Sequence, residues 1–423
     1  MKSRKKFIAV VILALLSVGL FSCSGSDRRR ARVLNQEKKD SLIFTDLKVN
    51  VFLENSGSMD GYVKGSTEFE DIVYDYLVRV KTTPFFDNLP DQPIENLNLY
   101  YINSEAIPQG NDVPAFINGL EPASFKAKGG NRGNSDIAQV LDKILAMSDS
   151  TTISIFISDC IFSPGKQDAM AYLNKQSTTI MGSFYDYMLK KDPNLCVIAY
   201  RLLSTFNGTY YDRRDAASKI NVERPFYIWL LGGKKYLENL TSKVRDDVFK
   251  GKGLQNKLVI YKGPQAIKYS VQRGSGKFEL DRNPERRKNT IIDLQKGRDN
   301  LYSFGVDLDF SHLMLDDDYL VNTHNYTATD TTFRMKIEKN PTSKEYTHVA
   351  RISNVKPKRN INLKVGLYVA LPDWVEAYND SEGIGLPEEN YDKTFGIKYL
   401  IEGVNAAFKR FSDYYTNFEI QIN

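Results

Sequence analysis

Side chains that can bind a metal ion through oxygen follow the strand-like segments in the first half of the chain. One set comes directly after the β-rich run 48–53, and another follows the run 153–157. In open α/β sheets, ligands bind beyond the carboxyl ends of the strands, so these side chains can converge on one edge. Carboxylate and hydroxyl oxygens suit hard divalent cations. The predicted ligands of Mg²⁺, or alternatively of Mn²⁺ or Ca²⁺, are Glu54, Ser56, Ser58, Ser135 and Asp159.

Two more carboxylates adjoin this set. Asp60 comes two residues after Ser58, and Asp136 directly follows Ser135. Either carboxylate can serve as an additional metal ligand. The same residues also fit a metal-free loop that keeps only its turn geometry, and the sequence leaves this alternative open.

Strand-like and helical segments alternate between about residues 45 and 250. Apolar residues recur at helical intervals in the segments that separate short β-rich runs. This alternation predicts an α/β domain with a Rossmann-like, doubly wound, mostly parallel sheet and helices on both faces. The helix that follows the glycine-rich loop 129–133 is expected to be capped near Asn134 or Ser135. The predicted strands are 48–53, 97–102, 153–157, 195–200 and 226–231, and the predicted helices are 66–82, 137–144, 167–191 and 233–249.

The residues at these strand ends resemble the metal-ion-dependent adhesion site of the von Willebrand factor A family. The first motif of that family, Asp-x-Ser-x-Ser, stands here as Glu54-x-Ser56-x-Ser58. Ser135 is in the place of the family's Thr, and Asp159 is in the place of its distal Asp. The resemblance covers roughly residues 45–250. It implies a Rossmann-like fold and a cation whose open coordination position accepts a carboxylate from a partner protein.

Three departures from the family pattern bear on the predicted metal site. Glu54 replaces Asp and extends its carboxylate by about one methylene, while Mg²⁺ requires near-octahedral geometry. Ser135 replaces Thr and keeps the hydroxyl. Cys160 follows Asp159 at a position where the family usually has Gly. The loop after that strand is therefore expected to differ from the family's.

The pattern changes after about residue 250. Apolar runs become short and alternating, and turn signals such as Gly274-Ser275-Gly276 and Asn340-Pro341 separate them. Regular short strands of this kind predict a β-rich, sandwich-like domain over residues 251–423. One helix near 397–411 and a closing strand near 417–422 complete it.

The amino-terminal residues 1–22 carry the pattern of a signal peptide. Basic residues precede an apolar core of about 15 residues, which is shorter than the ~20 residues that a transmembrane helix needs. The core ends in Leu20-Phe21-Ser22-Cys23, which resembles the bacterial lipobox and implies acylation of Cys23. Ser24 rather than Asp follows, which favours the outer membrane and leaves its periplasmic or surface face undecided. A plain secretory peptide with an incidental cysteine is the alternative. The polar segment 23–44 is predicted to be a tether.

Composition and charge argue against several functions. The chain has 57 Lys and Arg against 52 Asp and Glu, and four of the basic residues lie in the predicted signal peptide. The near-neutral remainder lacks the charge that nucleic-acid binding requires. The three histidines lie in the β-rich half, and no Gly-x-Ser-x-Gly motif is present. An activated nucleophile is therefore not indicated, and an enzyme is the less favoured prediction.

The sequence thus predicts a lipid-anchored binding protein of the bacterial cell envelope. Its first domain would contact a partner protein through the divalent cation. One alternative is a metal-free structural subunit of an envelope secretion or assembly complex, and a second is a metal-dependent hydrolase. Cys160 and Cys196 are expected to be buried free thiols, with a disulfide between them as the alternative.

Overall fold

The computed structural model describes residues 47–65, 67–84, 94, 96–133, 136–249, 251, 253–358 and 360–423. The predicted signal peptide, the tether, the lipidation site Cys23 and the predicted ligand Ser135 lie outside the described residues. Within the described ranges, no helix combines the length and the apolar character needed to cross a bilayer.

A seven-stranded mixed sheet forms the centre of the molecule, with strand order β3-β2-β1-β4-β6-β5-β7. Strand β1 pairs in parallel with both of its neighbours, β2 and β4, and the remaining pairings in the sheet are antiparallel. The α/β prediction is confirmed, but the expectation of a mostly parallel sheet was wrong because residues 195–233 form a hairpin. The strands are β1 (Lys48–Glu54), β2 (Leu97–Ile102), β3 (Ala106–Pro108), β4 (Thr152–Ser158), β5 (Leu195–Tyr211), β6 (Ala217–Gly233) and β7 (Leu254–Tyr261).

Helices cover both faces of this sheet, which is why its central strands are apolar on both sides. In β1, Val51 and Leu53 enter one core, whereas Phe52 enters the core on the opposite face. Asp136 caps the fourth helix by accepting a hydrogen bond from the Gln139 backbone N–H, one residue after the predicted cap at Ser135. The helices are α1 (Glu68–Thr82), α2 (Val113–Asn118), α3 (Pro122–Lys126), α4 (Ile137–Ala146), α5 (Ala169–Lys190) and α6 (Lys234–Lys243), with 3₁₀ turns at Gly57–Gly61 and Asp246–Phe249.

The β5–β6 hairpin is longer than the strands beside it. β4 pairs with β6 only as far as Tyr227, and β7 pairs with β5 only as far as Leu202. Residues 203–225 therefore extend beyond the carboxyl edge of β4, and we call them the projecting hairpin. Asp212 stabilises its turn, because one carboxylate oxygen accepts hydrogen bonds from the backbone N–H groups of Arg214 and Ala216.

Two further sheets form the β-rich region, and their buried apolar residues share one core with the first sheet. Strand β7 belongs to the first sheet, so that sheet continues past residue 250. The last helix packs closely on α5, since a Cβ added at Gly403 would lie 2.6 Å from the carbonyl oxygen of Ser177. The five-stranded sheet contains β9 (Lys277–Leu280), β10 (Thr290–Gln295), β12 (Tyr326–Ala328), β15 (Ile361–Tyr368) and β18 (Tyr414–Ile422). The four-stranded sheet contains β8 (Lys268–Val271), β11 (Tyr302–Asp309), β13 (Arg334–Lys339) and β14 (His348–Asn354).

Short elements complete this region. Two short strands pair in parallel, with Asn379 in register with Thr394 and Asp380 with Phe395. The remaining elements are α7 (Asp317–Val321), α8 (Trp374–Ala377), α9 (Ile397–Lys409), β16 (Asn379–Asp380), β17 (Thr394–Phe395) and 3₁₀ turns at Ser311–Leu313, Thr323–Asn325 and Glu388–Asn390.

Candidate metal centre

Parallel pairing of β2, β1 and β4 brings their carboxyl ends to one edge, which we call the carboxyl edge. Glu54 is in register with Ile102 of β2, and Leu53 is in register with Ile157 of β4. The residues that follow these strands therefore meet. Asn103, after β2, donates a hydrogen bond of 2.5 Å to the Oδ1 atom of Asn55, after β1. The ends of these strands are thus joined by a contact that involves none of the predicted metal ligands.

The Glu54 carboxylate is buried at this edge. The Ser158 hydroxyl, at the end of β4, donates a hydrogen bond to Glu54 Oε2. The same hydroxyl oxygen accepts a hydrogen bond of 2.7 Å from the backbone N–H of Cys160. Glu54 therefore belongs to an internal network that joins the first and fourth strands.

The two serines of the first motif and Asp159 form the second part of the site. The Oγ atoms of Ser56 and Ser58 are 2.9 Å apart. Asp159 is 1% exposed, and its Oδ1 atom accepts a hydrogen bond of 3.2 Å from the Ile161 backbone N–H. Its Oδ2 atom has no hydrogen-bond partner among the described residues. A buried carboxylate oxygen without a partner is energetically costly.

Burial and nearby polar groups shift the pKa of the Asp159 carboxyl in opposite directions. Removal from water raises the pKa of its carboxyl, while the nearby Ser58 hydroxyl, the Ile161 N–H and the Arg224 guanidinium act in the opposite direction. A divalent cation would provide the missing partner for the unpaired Oδ2 atom and favour the ionised carboxylate. The donors present, two carboxylates and two hydroxyls, fit such an ion.

The two additional carboxylates already have protein partners. Asp60 accepts a hydrogen bond from the guanidinium of Arg132, and its Oδ2 atom lies 3.4 Å from Lys126 Nζ. The Oδ2 atom of Asp136 accepts a hydrogen bond of 3.0 Å from Gln176 Nε2 in α5. A cation would have to compete with these contacts for either carboxylate.

Arg132 orders the loop that carries the serines, although it is not among the predicted site residues. Its Nε atom donates to the carbonyl of Asn55 at 2.8 Å, and its Nη2 atom donates to the carbonyl of Ser56 at 3.1 Å. Its own carbonyl accepts a hydrogen bond of 3.0 Å from the Gly57 N–H. The signal for this role in the sequence is the position of the arginine inside the glycine-rich loop 129–133.

The projecting hairpin lies against the same loop. Tyr62 donates a hydrogen bond of 2.6 Å to the carbonyl of Pro225. Gly208 approaches Gly61 so closely that a Cβ at Gly208 would be 2.6 Å from the Gly61 Cα atom. Only a residue without a side chain fits there, so the hairpin packs directly on the loop backbone.

A second cover comes from residues 390–395, which we call the closing segment. Arg224 is buried in the hairpin and donates to the carbonyls of Asn390 and Tyr391 at 3.1 and 3.0 Å. The Tyr227 hydroxyl donates to Thr394 Oγ1 at 3.1 Å. The site therefore opens to solvent on the side of Ser58, which is only partly buried.

The residue after Asp159 has an unusual backbone. Cys160 has a φ of 57°, a left-handed value that glycine adopts more readily than other residues. This is the position at which the von Willebrand factor A family usually has Gly. Cys160 and Cys196 are both buried free thiols, and burial raises the pKa of the Cys160 thiol well above its usual value.

Comparison with known protein families, curated proteins and solved structures finds no match to this chain. Among the described residues, no three side chains of the His, Cys, Asp and Glu types form a metal-binding group. The predicted ligand set differs from such groups because three of its five members are serines. The metal centre and the family resemblance therefore remain predictions from the motif residues.

Proposed function

We propose that the chain is a lipid-anchored binding protein of the bacterial cell envelope, which contacts a partner protein through a divalent cation at the carboxyl edge. Glu54, Ser56, Ser58 and Asp159 would hold the cation, together with Ser135, which lies outside the described residues. The observation that carries the proposal is the buried Asp159 Oδ2 atom, which has no hydrogen-bond partner. Such an atom is a ready ligand for Mg²⁺ or a similar ion.

The direction from which a partner would approach follows from burial. Glu54 and Asp159 are each 1% exposed, whereas Ser58 is partly exposed. The projecting hairpin and the closing segment cover other sides of the site. A carboxylate from the partner would therefore reach the cation past Ser58.

Attachment to the membrane is proposed through acylation of Cys23. Two or three acyl chains give stable anchoring, because each buried methylene contributes about 0.8 kcal/mol. The segment 23–44 would then hold the folded part away from the bilayer surface.

A second candidate function is a metal-free structural subunit of an envelope secretion or assembly complex. Three hydrogen bonds favour it. Ser158 donates to Glu54, and Arg132 donates to the carbonyls of Asn55 and Ser56, so much of the loop is ordered by protein contacts alone. In this case the partner would bind without a cation.

A pull-down from native membranes separates the two candidates. The complete chain in detergent would be used as bait with Mg²⁺, with EDTA, and as the variant Ser58→Ala. We expect the captured partner to be lost with EDTA and with Ser58→Ala, and to return when Mg²⁺ replaces EDTA. Ser242→Ala, at an exposed serine of α6, is the matched control and should capture the partner as wild type does. Equal capture in EDTA would reject the cation-dependent function and favour the structural subunit.

A further inference from the structure

A cavity of about 700 Å³ lies at the opposite, amino edge of the seven-stranded sheet. Its walls come from the starts of β4 and β5, the ends of β6 and β7, and the first turn of α6. We call it the amino-edge cavity. Its volume is in the range of small-molecule sites, and none of the predicted metal ligands lines it.

Two buried oxygens in the walls of this cavity have no hydrogen-bond partner. Asp192 is 2% exposed; its Oδ1 atom accepts a hydrogen bond of 2.9 Å from the Asn194 N–H, but its Oδ2 atom accepts none. Tyr261 is 1% exposed, and its hydroxyl also has no partner. Folded proteins rarely leave such groups unsatisfied. A ligand with hydroxyl groups would supply the missing hydrogen bonds.

The same cavity has a positive side. Helix α6 begins there at Gly233, which provides no side-chain cap, and the backbone N–H of Lys234 donates a hydrogen bond of 2.8 Å to the carbonyl of Asn194. The Asp192 Oδ2 atom lies beside this helix start, 3.4 Å from where a Cβ of Gly233 would be. Lys235 and Lys262 also line the cavity. The positive charge of these two lysines attracts an anionic group.

Lys234 strengthens the wall instead of facing a ligand. Its Nζ atom donates a hydrogen bond of 2.6 Å to the carbonyl of His312 and lies 3.4 Å from Glu238 Oε2. Glu238 in turn contacts His312 Nδ1 at 2.8 Å. These contacts tie α6 to the β-rich region, so the cavity has a fixed wall on this side.

Neutral polar side chains supply part of the remaining lining. Hydroxyl and amide groups both donate and accept hydrogen bonds, which matches the hydroxyl groups of a sugar. The neutral polar residues are Ser150, Thr151, Asn194 and Gln265.

We propose that the amino-edge cavity binds a small anionic sugar. Lys235 and Lys262 would attract the acidic group of the sugar, and its hydroxyl groups would hydrogen-bond Asp192 and Tyr261. A carboxylate or a phosphate can supply the negative charge. This site is independent of the cation proposed at the carboxyl edge.

Isothermal titration calorimetry on the complete chain in detergent tests the ligand class with four probes. Gluconate and glucose 6-phosphate each carry an anionic group and hydroxyls, glucose lacks the charge, and hexanoate lacks the hydroxyls. We expect binding of gluconate, glucose 6-phosphate or both, and at least about tenfold weaker binding of glucose and hexanoate. Gluconate and glucose 6-phosphate distinguish a carboxylate from a phosphate ligand. Absence of binding by both, or equal binding of glucose or hexanoate, would overturn the proposal.

Two nearly isosteric variants test the site itself. Asp192→Asn keeps the Oδ1 contact with the Asn194 N–H and replaces the unpaired oxygen with an amide nitrogen. Tyr261→Phe removes only the unpaired hydroxyl. Each should weaken binding of the tighter probe about tenfold or more, while the thermal midpoint without ligand stays the same or rises. Tyr74→Phe, at an exposed tyrosine of α1, should bind as wild type does. Unchanged affinity in both cavity variants would contradict the assignment.

Discussion

Buried oxygen atoms have different surroundings at the two edges of the seven-stranded sheet. At the carboxyl edge, Glu54 and Asp159 lie under the projecting hairpin and the closing segment, and most of their surroundings are protein contacts. At the amino edge, Asp192 and Tyr261 line a cavity large enough for a small molecule. The comparison shows that a recognisable motif and a cavity need not lie at the same edge of a sheet. The carboxyl edge has the motif of predicted metal ligands, and the amino edge has the cavity.

The largest expected effect is the loss of the cover at the carboxyl edge. Arg224→Ala should lower the free energy of unfolding by about 2–4 kcal/mol, because it removes a buried side chain and leaves the part-buried carbonyls of Asn390 and Tyr391 without their donor. Urea denaturation without added cation measures this. Arg214→Ala, at an exposed position near the turn of the same hairpin, should change stability by less than about 0.5 kcal/mol. Equal effects of the two variants would show that the closing segment does not depend on Arg224.

The close contact of the projecting hairpin with the loop at Gly61 predicts the next largest loss of stability. Gly208→Ala should destabilise the protein by about 1–3 kcal/mol, because the new methyl group would overlap the backbone of Gly61. Gly182→Ala is the matched control, since this α5 glycine has no atom within 4 Å of an added Cβ. It should stabilise the helix by about 0.5–1 kcal/mol. Shifts of the same sign in the two variants would contradict the packing of hairpin on loop.

Glu54→Asp distinguishes a metal ligand from a purely structural carboxylate. The shorter side chain restores the family motif and should tighten Mg²⁺ binding. It should also cost about 1 kcal/mol of stability without cation, because the Ser158 hydroxyl loses its acceptor. Calorimetry and denaturation measure the two effects separately. A loss of stability with unchanged cation affinity would assign Glu54 to the internal network only.

The smallest effect concerns pH at the amino edge. Burial raises the pKa of the Asp192 carboxyl. Its contribution to stability is therefore complete below the unfolded value of about 3.9 and is lost as pH rises through the folded pKa. Asp192→Asn cannot ionise, so its thermal midpoint relative to wild type should increase from about pH 4 upward. Tyr261→Phe should run parallel to wild type over this range, because burial raises the pKa of Tyr261 well above its usual value. Parallel curves for all three proteins would show that Asp192 ionises without penalty.

Strong local patterns explain which elements could be predicted. The apolar spacing in 66–82 and 167–191 predicts α1 and α5 to within a few residues. The sheet order could not be predicted in the same way. Residues 201–225 contain many polar and charged residues, so the sequence predicts two short, separate strands there, whereas β5 and β6 continue through this segment as one antiparallel hairpin.

The candidate site was predictable in its motif but not in its surroundings. Glu54, Ser56, Ser58 and Asp159 follow apolar strands, and spacing alone places them at one edge. Arg224 and the closing segment come from positions more than 160 residues apart. Local sequence carries no signal for such a pairing, because the burial that makes it necessary appears only when the chain is folded.

Titration of Mn²⁺ or Mg²⁺ into the complete chain by calorimetry tests the central claim most directly, with Asp159→Asn and Asp192→Asn compared with wild type. If the carboxyl edge holds the cation, wild type and Asp192→Asn bind it alike, and Asp159→Asn loses most of the affinity. No binding by wild type at millimolar cation, or equal binding by Asp159→Asn, would contradict a metal centre at this edge.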